Sequence, residues 1–195
     1  MMCTLHFPEM LFIIQVYVMA AGAYTSEVEL SEQQREVSSV AEAVALLKDA
    51  IALMDVDNDG TLDCLTATRT QYDPDGWSAT YMWNVVGSNG ERFQVPLYFT
   101  PADKPDDFTL TTPIKPGQSF VGHMYYFDQE SCVIIDMPLV GYQCALWITK
   151  ERRDSVPQEC FSQYAKHCGN GTDIQVKETC KDVERKDHFD FVSQA

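Results

Sequence analysis

Short β segments follow one another through the middle of the chain, and each is bounded by turn residues. Between two of them lies Ser88-Asn89-Gly90-Glu91, whose Asn-Gly pair is a strong hairpin signal. Eight such segments without intervening helices predict an antiparallel barrel or sandwich, and a barrel of eight strands can enclose one small ligand. The segments are residues 51–56, 62–70, 77–86, 92–100, 108–112, 119–127, 132–137 and 142–149.

Helical patterns flank this β region on both sides. Apolar residues spaced three and four apart predict a helix through most of residues 31–54, and Ser31 with Gln34 could form a capping box. Residues 156–167 predict a second helix, packed outside the strands. The stripe of the first helix consists of Val37, Val40, Ala41, Val44, Leu47 and Ile51.

The N-terminus has a pattern that predicts an export signal. Residues 10–19 (MLFIIQVYVM) form an apolar run that is shorter than the roughly 20 residues of a transmembrane helix. Ala21 and Ala23 then fit a small-residue cleavage site. We therefore predict a signal peptide over residues 1–23 and a secreted domain over residues 24–195, although a buried first strand is the alternative for the apolar run.

The cysteine count agrees with export. Of seven cysteines, Cys3 would leave with the signal peptide, and an even set of six remains. In an exported domain this even number predicts three disulfides, but it does not choose among the possible pairings. A zinc site is disfavoured, because the sequence contains no Cys-x-x-Cys pair. Asn170-Gly171-Thr172 is a candidate glycosylation site. The remaining cysteines are Cys64, Cys132, Cys144, Cys160, Cys168 and Cys180.

Charge and motifs exclude several functional classes. The net charge is −15, from 29 acidic and 14 basic residues, which disfavours binding to nucleic acids and to anionic membranes. His123, His167 and His188 lie in different segments, and no catalytic or phosphate-binding motif is present. We predict a binding protein that is a monomer, has no cofactor and is not an enzyme.

One acidic motif matches part of a calcium loop. Residues 55–60 (DVDNDG) follow the first half of an EF-hand loop, including its glycine. The required glutamate is replaced by Thr66, and a strand rather than a helix is predicted to follow. The pattern is more typical of an acidic turn, so we predict no metal site.

Aromatic residues cluster on one predicted strand. Period-two alternation places Trp77, Tyr81 and Trp83 on the same face. Ordinary barrel packing explains such a face, and so does the wall of a ligand cavity.

The second half of the chain carries a connected pattern around its cysteines. It reads YFDQESCVII over residues 126–135, GYQCALW over residues 141–147 and VPQECF over residues 156–161. This pattern resembles the histamine-binding lipocalins of tick saliva. The resemblance implies a mainly β fold, an eight-stranded antiparallel lipocalin barrel with an N-terminal helix and a C-terminal helix packed outside it. It also implies a secreted protein that captures a small host mediator, such as histamine or another biogenic amine, and so dampens host defence.

The resemblance also implies specific bridges and a ligand site. It pairs Cys64 with Cys180 and Cys132 with Cys160, and the two cysteines left over, Cys144 and Cys168, would then pair. Val133 and Ala145 stand where the family has an aspartate and a glutamate that face the ligand's ammonium, whereas the family's tryptophan is retained. The implied lining includes Trp147, Gln143, Val133 and Ala145.

Loss of both carboxylates matters physically, because a buried cation without a counter-charge is costly. Asp55, Asp57 and Asp107 are possible substitutes. Arg69, on the face shared with Leu65 and Ala67, could instead bind the carboxylate of a fatty acid, although a solvated outward position is the simpler explanation.

These observations leave three ligand classes open. They are a biogenic amine, an eicosanoid or fatty acid, and a protein partner in complement or clotting. The protein-binding alternative predicts a filled barrel and contacts through surface loops such as residues 103–107.

Overall fold

The computed structural model describes residues 40–56, 60–86, 91–176 and 180. Within these ranges the chain forms eight main strands, a short ninth strand, two α-helices and one 3₁₀ turn. The predicted signal peptide, the first part of the predicted N-terminal helix, Asp57 and His188 lie outside the described residues.

The strands run antiparallel and close into a barrel. They pair in the order β2-β3-β4-β5-β6-β7-β8-β1. The first and last strands of this order, β2 and β1, also pair with each other, so the sheet closes on itself. The short β9 adds to β1 outside this ring. The strands are β1 (Asp49–Asp55), β2 (Thr66–Asp73), β3 (Ser78–Val86), β4 (Arg92–Pro101), β5 (Asp107–Thr111), β6 (Ser119–Phe127), β7 (Cys132–Met137), β8 (Gln143–Thr149) and β9 (Thr172–Asp173).

The predicted mainly β class and eight-stranded barrel are confirmed. β6 and β7 have the predicted bounds, and β8 differs by one residue at its start. β2 begins at Thr66 rather than at residue 62, because residues 61–64 form a turn in which Cys64 has a φ of 59°. β9 has no counterpart among the predicted strands.

The first helix is shorter than its apolar stripe predicts. Helix α1 covers the described residues 40–46, and β1 begins at Asp49. The prediction of a helix through most of residues 31–54 is therefore wrong beyond residue 46. Ile51 belongs to a strand paired with β2 and β8, and this pairing overrides the local helical spacing.

The second helix covers an outer face of the barrel. α2 (Gln158–His167) lays Cys160 and Tyr164 on the outward residues of β7 and β8. The hydroxyl of Tyr164 donates a hydrogen bond to the Cys144 carbonyl (3.1 Å), and burial raises the pKa of this phenol. Every residue of β8 is buried, because its inner face meets the barrel interior and its outer face meets α2.

Three disulfides link these elements. The structure joins Cys64 to Cys180, Cys132 to Cys160 and Cys144 to Cys168, which are the pairs implied by the family resemblance. The second and third bridges tie α2 and the residue after it to β7 and β8. Among the described residues, no helix has the length and hydropathy of a membrane span.

Candidate ligand-binding cavity

A cavity of about 60 Å³ lies inside the barrel, beneath α1. Its wall combines the apolar side of α1 with inward residues from β1 to β8, because alternation sends every second side chain of a strand inside. The lining residues are Val40, Ala43, Val44, Leu47, Ala50, Ala67, Tyr81, Trp83, Phe99, Phe108, Met124, Val133, Ile135, Met137 and Trp147.

Rings form much of this wall and contact one another. Trp83 and Trp147 have centroids 5.6 Å apart at a tilt of 36°. Tyr81 meets Phe99 edge-on at 5.2 Å, and Phe99 lies 5.4 Å from Phe108. Such packed rings hold their positions, so the cavity is a preformed space with a defined shape.

The wall offers few polar atoms and no acidic side chain among the described lining residues. The Tyr81 hydroxyl donates to the Val44 carbonyl at 3.1 Å, and burial raises the pKa of this phenol, so the hydroxyl stays protonated. The Trp147 indole Nε1 is buried and has no hydrogen-bond acceptor among the described residues. The cavity is therefore suited to a mainly apolar ligand.

Four of the predicted ligand-binding residues line this cavity: Trp147, Val133, Tyr81 and Trp83. Val133 faces inward, as does Ala145, so the positions of both missing carboxylates lie on the barrel interior. Ala145 is fully buried but does not line the cavity.

Gln143 and Trp77 do not line the cavity. The Gln143 amide is buried and bonds to the backbone of Val140, donating to its carbonyl at 2.8 Å, which stabilises the β7–β8 turn. Trp77 lies in the turn before β3 rather than on the strand, with a φ of 39°, and packs against the edge of the core.

Arg69 has a different role from the predicted one. Its guanidinium donates to the carbonyls of Val44 and Ala45 near the end of α1, with a distance of 2.9 Å to Ala45. It also lies 4.5 Å from the centroid of the Tyr72 ring. Arg69 thus caps α1 instead of facing the cavity, and with Tyr81 it fastens the helix over the barrel.

The candidate substitute acids do not line the cavity either. Asp55 is buried, and its Oδ1 accepts from the backbone N–H groups of Val56 and Cys144. The Asp107 carboxylate lies 2.6 Å from His123 Nδ1. Asp107 directly precedes the inward-facing Phe108 on β5, so alternation places it on the outer face of the barrel. Neither carboxylate is placed to meet a ligand in the described cavity.

Sequence reasoning missed the contribution of α1 to the site. The stripe containing Val40, Val44 and Leu47 predicts a helix face but does not by itself indicate a role in ligand binding. An apolar helix face must be buried against another element, and the predicted barrel offers such a surface, so this stripe could have indicated a contact with the barrel interior. Phe108 and Met124 are further lining residues that inward alternation alone could have identified.

One group of possible metal ligands occurs in the described residues, formed by Asp128, Cys132 and Cys160. The two cysteines are joined in a disulfide, and Asp128 Oδ1 already accepts from three backbone N–H groups, including that of Cys132. These atoms stabilise the β6–β7 turn and are poor metal ligands. Thr66, which replaces the glutamate of a calcium loop, is the first residue of strand β2, so a strand rather than a helix follows the motif.

Asn170, in the candidate glycosylation site, is exposed just before β9. Exposure makes this asparagine accessible to modification. Glycosylation itself stays a prediction.

Known structures share this barrel. A serotonin complex of the protein AM182 superposes with a TM-score of 0.56 at 17% identity, covering 72% of this chain and 91% of that chain. Japanin from Rhipicephalus appendiculatus, bound to cholesterol, superposes with a TM-score of 0.52 at 11% identity, covering 69% and 95%. At such identities the likeness shows the fold alone.

Sequence comparison is more specific. Among curated proteins, none is significantly similar to this chain. The family model described as "Tick histamine binding protein" matches residues 46–182, which include all eight barrel strands and all six bridged cysteines. The chain therefore belongs to the tick histamine-binding protein family.

Proposed function

We propose that this protein is secreted and sequesters a small, largely apolar host mediator inside its barrel, and so dampens host defence. Capture is stoichiometric and involves no chemistry. The observation that carries the proposal is the apolar cavity, whose described lining contains no Asp or Glu.

Cavity size sets the scale of the ligand. One enclosed water needs about 10–15 Å³ of such a cavity, whereas its share of liquid water is about 30 Å³. The cavity thus corresponds to about four to six waters, or about 120–180 Å³ of liquid. This is the size of one ring with a short substituent.

A biogenic amine is the second candidate, favoured by family membership and by the cavity's size. AM182, which shares the fold, is described in complex with serotonin. Against it stands the missing counter-charge, because Val133 and Ala145 occupy the family's carboxylate positions. A contact between an ammonium and Trp147 contributes about 0.5–2 kcal/mol, less than the several kcal/mol of desolvation.

A long fatty acid or a sterol needs more room than the described cavity provides. Japanin, which shares the fold, is described with cholesterol. In this chain, we expect such a ligand to displace α1 from the barrel and to break the hydrogen bonds from Arg69 and Tyr81 to Val44. A protein-binding inhibitor predicts a filled barrel, so the cavity favours a small ligand over that alternative.

Isothermal titration calorimetry tests the proposal. The oxidised protein is titrated with ethylbenzene as a small apolar probe, with histamine and serotonin, and with leukotriene B4 and arachidonate. We expect binding of the small apolar probe and little heat from histamine.

Ala43→Leu tests whether the ligand occupies this cavity, because Ala43 lines the cavity from α1 and leucine is also compatible with a helix. The added volume should weaken binding of any ligand that occupies the cavity. Submicromolar histamine binding in the wild type would overturn the preference for an apolar ligand. If no probe bound, the proposed capture of a small ligand would be contradicted, and a protein partner would be favoured instead.

A further inference from the structure

The barrel interior contains a buried hydrogen-bond donor that the described protein does not use. Trp147 is 3% exposed, and its Nε1 atom has no acceptor within hydrogen-bonding distance among the described residues. The residue lies near the middle of β8, between Val133 of β7 and Ala52 of β1, with its ring on the inward face. Buried Trp N–H groups usually have a partner, so this one requires an explanation.

The described residues around the indole provide no substitute acceptor. The neighbouring ring of Trp83, 5.6 Å away, carries a donor nitrogen, and the cross-strand residues Val133 and Ala52 are apolar. The Tyr81 hydroxyl is the other polar group of the lining; it donates to the Val44 carbonyl, and its oxygen does not accept a hydrogen bond from Trp147 Nε1. The described residues therefore leave this donor available to an acceptor on a molecule that enters the barrel.

We propose that Trp147 is a specificity-determining residue, whose indole N–H donates a hydrogen bond to an uncharged acceptor oxygen on an otherwise apolar ligand. This inference rests on the proposed function and narrows its ligand class to compounds such as ketones, esters, ethers or alcohols. A pure hydrocarbon leaves the donor unsatisfied. An ammonium brings only further donors to this position, so it meets Trp147 less favourably than an oxygen does.

A pair of matched probes separates the acceptor from the apolar frame. Ethylbenzene and acetophenone have nearly the same shape, and a carbonyl oxygen replaces two hydrogens in the second. Calorimetric titration of the oxidised wild-type protein should give tighter binding of acetophenone by roughly tenfold, because one buried hydrogen bond is made. Trp147→Phe should remove this preference while retaining an apolar ring.

Trp83→Phe is the matched control, since Trp83 lines the same cavity on β3. It should change the affinity for both probes to a similar extent and keep the preference for acetophenone. Loss of the preference in Trp83→Phe but not in Trp147→Phe would overturn the assignment.

Nitrogen-15 labelling of the indoles gives a readout that does not depend on a folded variant. The chain has three tryptophans, so three indole N–H signals are expected. Acetophenone should move the Trp147 proton downfield, and ethylbenzene should not.

Equal affinity for the two probes, with no selective shift of Trp147, would overturn this inference while leaving the small-ligand function in place. Failure of both probes to bind would overturn the proposed function and this inference with it.

Discussion

At the scale of single residues, we predict that a carboxylate in place of Val133 would let the cavity hold a cation. It is 2% exposed and lines the cavity, so a carboxylate here would face the ligand without reaching solvent. Val133→Asp should lower the melting temperature, because burial of an unpaired carboxyl is costly, and histamine should recover part of the loss by providing a counter-charge. Thermal unfolding with and without millimolar histamine measures both effects.

Val133→Asn separates charge from shape in this test. Its amide has nearly the same size, so it should lower the melting temperature without any rescue by histamine. Equal behaviour of the two variants would show that position 133 does not meet the ligand. Ala145→Glu is a poorer test, because Ala145 is fully buried away from the cavity and the longer side chain would overpack the core.

His167 links stability to pH on the outer surface. Burial lowers its pKa below the ordinary value of 6.5, and electrostatic interaction with Lys166 and with the His123 side chain acts in the same direction. The unfolded chain therefore binds a proton more readily than the folded chain does. The contribution of His167 to the free energy of unfolding is therefore fully present above about pH 6.5. It is lost as the pH falls through the lower pKa of the folded state.

His167→Phe should reduce this pH dependence. Phenylalanine preserves the stacking on the Tyr125 ring, whose centroid lies 5.4 Å from that of His167, and it removes the titrating group. Melting temperatures measured from pH 7.5 to pH 5 should fall less steeply in the variant than in the wild type. A steeper fall in the variant would contradict the assigned direction.

At the scale of elements, Arg69 and Tyr81 fasten α1 over the barrel. Arg69→Met keeps an apolar stem but removes the charged donor to the Val44 and Ala45 carbonyls. Hydrogen bonds from charged groups contribute about 1.5–3 kcal/mol, so amide exchange in residues 40–47 should become faster by at least about tenfold. Arachidonate, which is longer than the cavity, should also bind faster to the variant.

Lys115→Met is the matched control, because Lys115 donates to the Leu139 carbonyl at 2.6 Å and neither residue belongs to α1 or lines the cavity. It should leave exchange in α1 unchanged. Unchanged exchange in Arg69→Met would mean that packing alone holds the helix. The sequence-based expectation that Arg69 grips a fatty-acid carboxylate would require it to exchange its carbonyl partners for the ligand.

Some elements could be predicted from local pattern, and others depended on distant partners. β6 and β7 followed from β-rich runs bounded by turn residues, and the family resemblance implied an inward position for Val133, Ala145 and Trp147, which lie in the barrel core. The end of α1 could not be found this way, because spacings of three and four continue through Leu47 to Ile51. Only pairing of β1 with β2 and β8 ends the helix, and only the folded chain brings Arg69 to α1.

At the scale of the whole molecule, the Cys64–Cys180 bridge restrains the largest part of the chain. It joins residues 116 positions apart, whereas Cys144 and Cys168 are 24 apart. In the chain-entropy model, these bridges contribute about 5 and about 3.5 kcal/mol respectively. Replacing both cysteines of a bridge with alanine should therefore destabilise the protein more for the first pair, as urea unfolding can measure.

Packing should widen this difference rather than reverse it. Cys64 and Cys180 are both buried, whereas Cys168 is only partly buried, so the second pair loses less contact when shortened to alanine. The Cys64–Cys180 bridge also lies beside the hydrogen bond from the Cys64 N–H to the Ile174 carbonyl (2.8 Å), which holds the segment after β9 against the turn before β2. A larger loss for the Cys144–Cys168 variant would mean that the attachment of α2 to β8, rather than closure of the long loop, dominates the stability of the barrel.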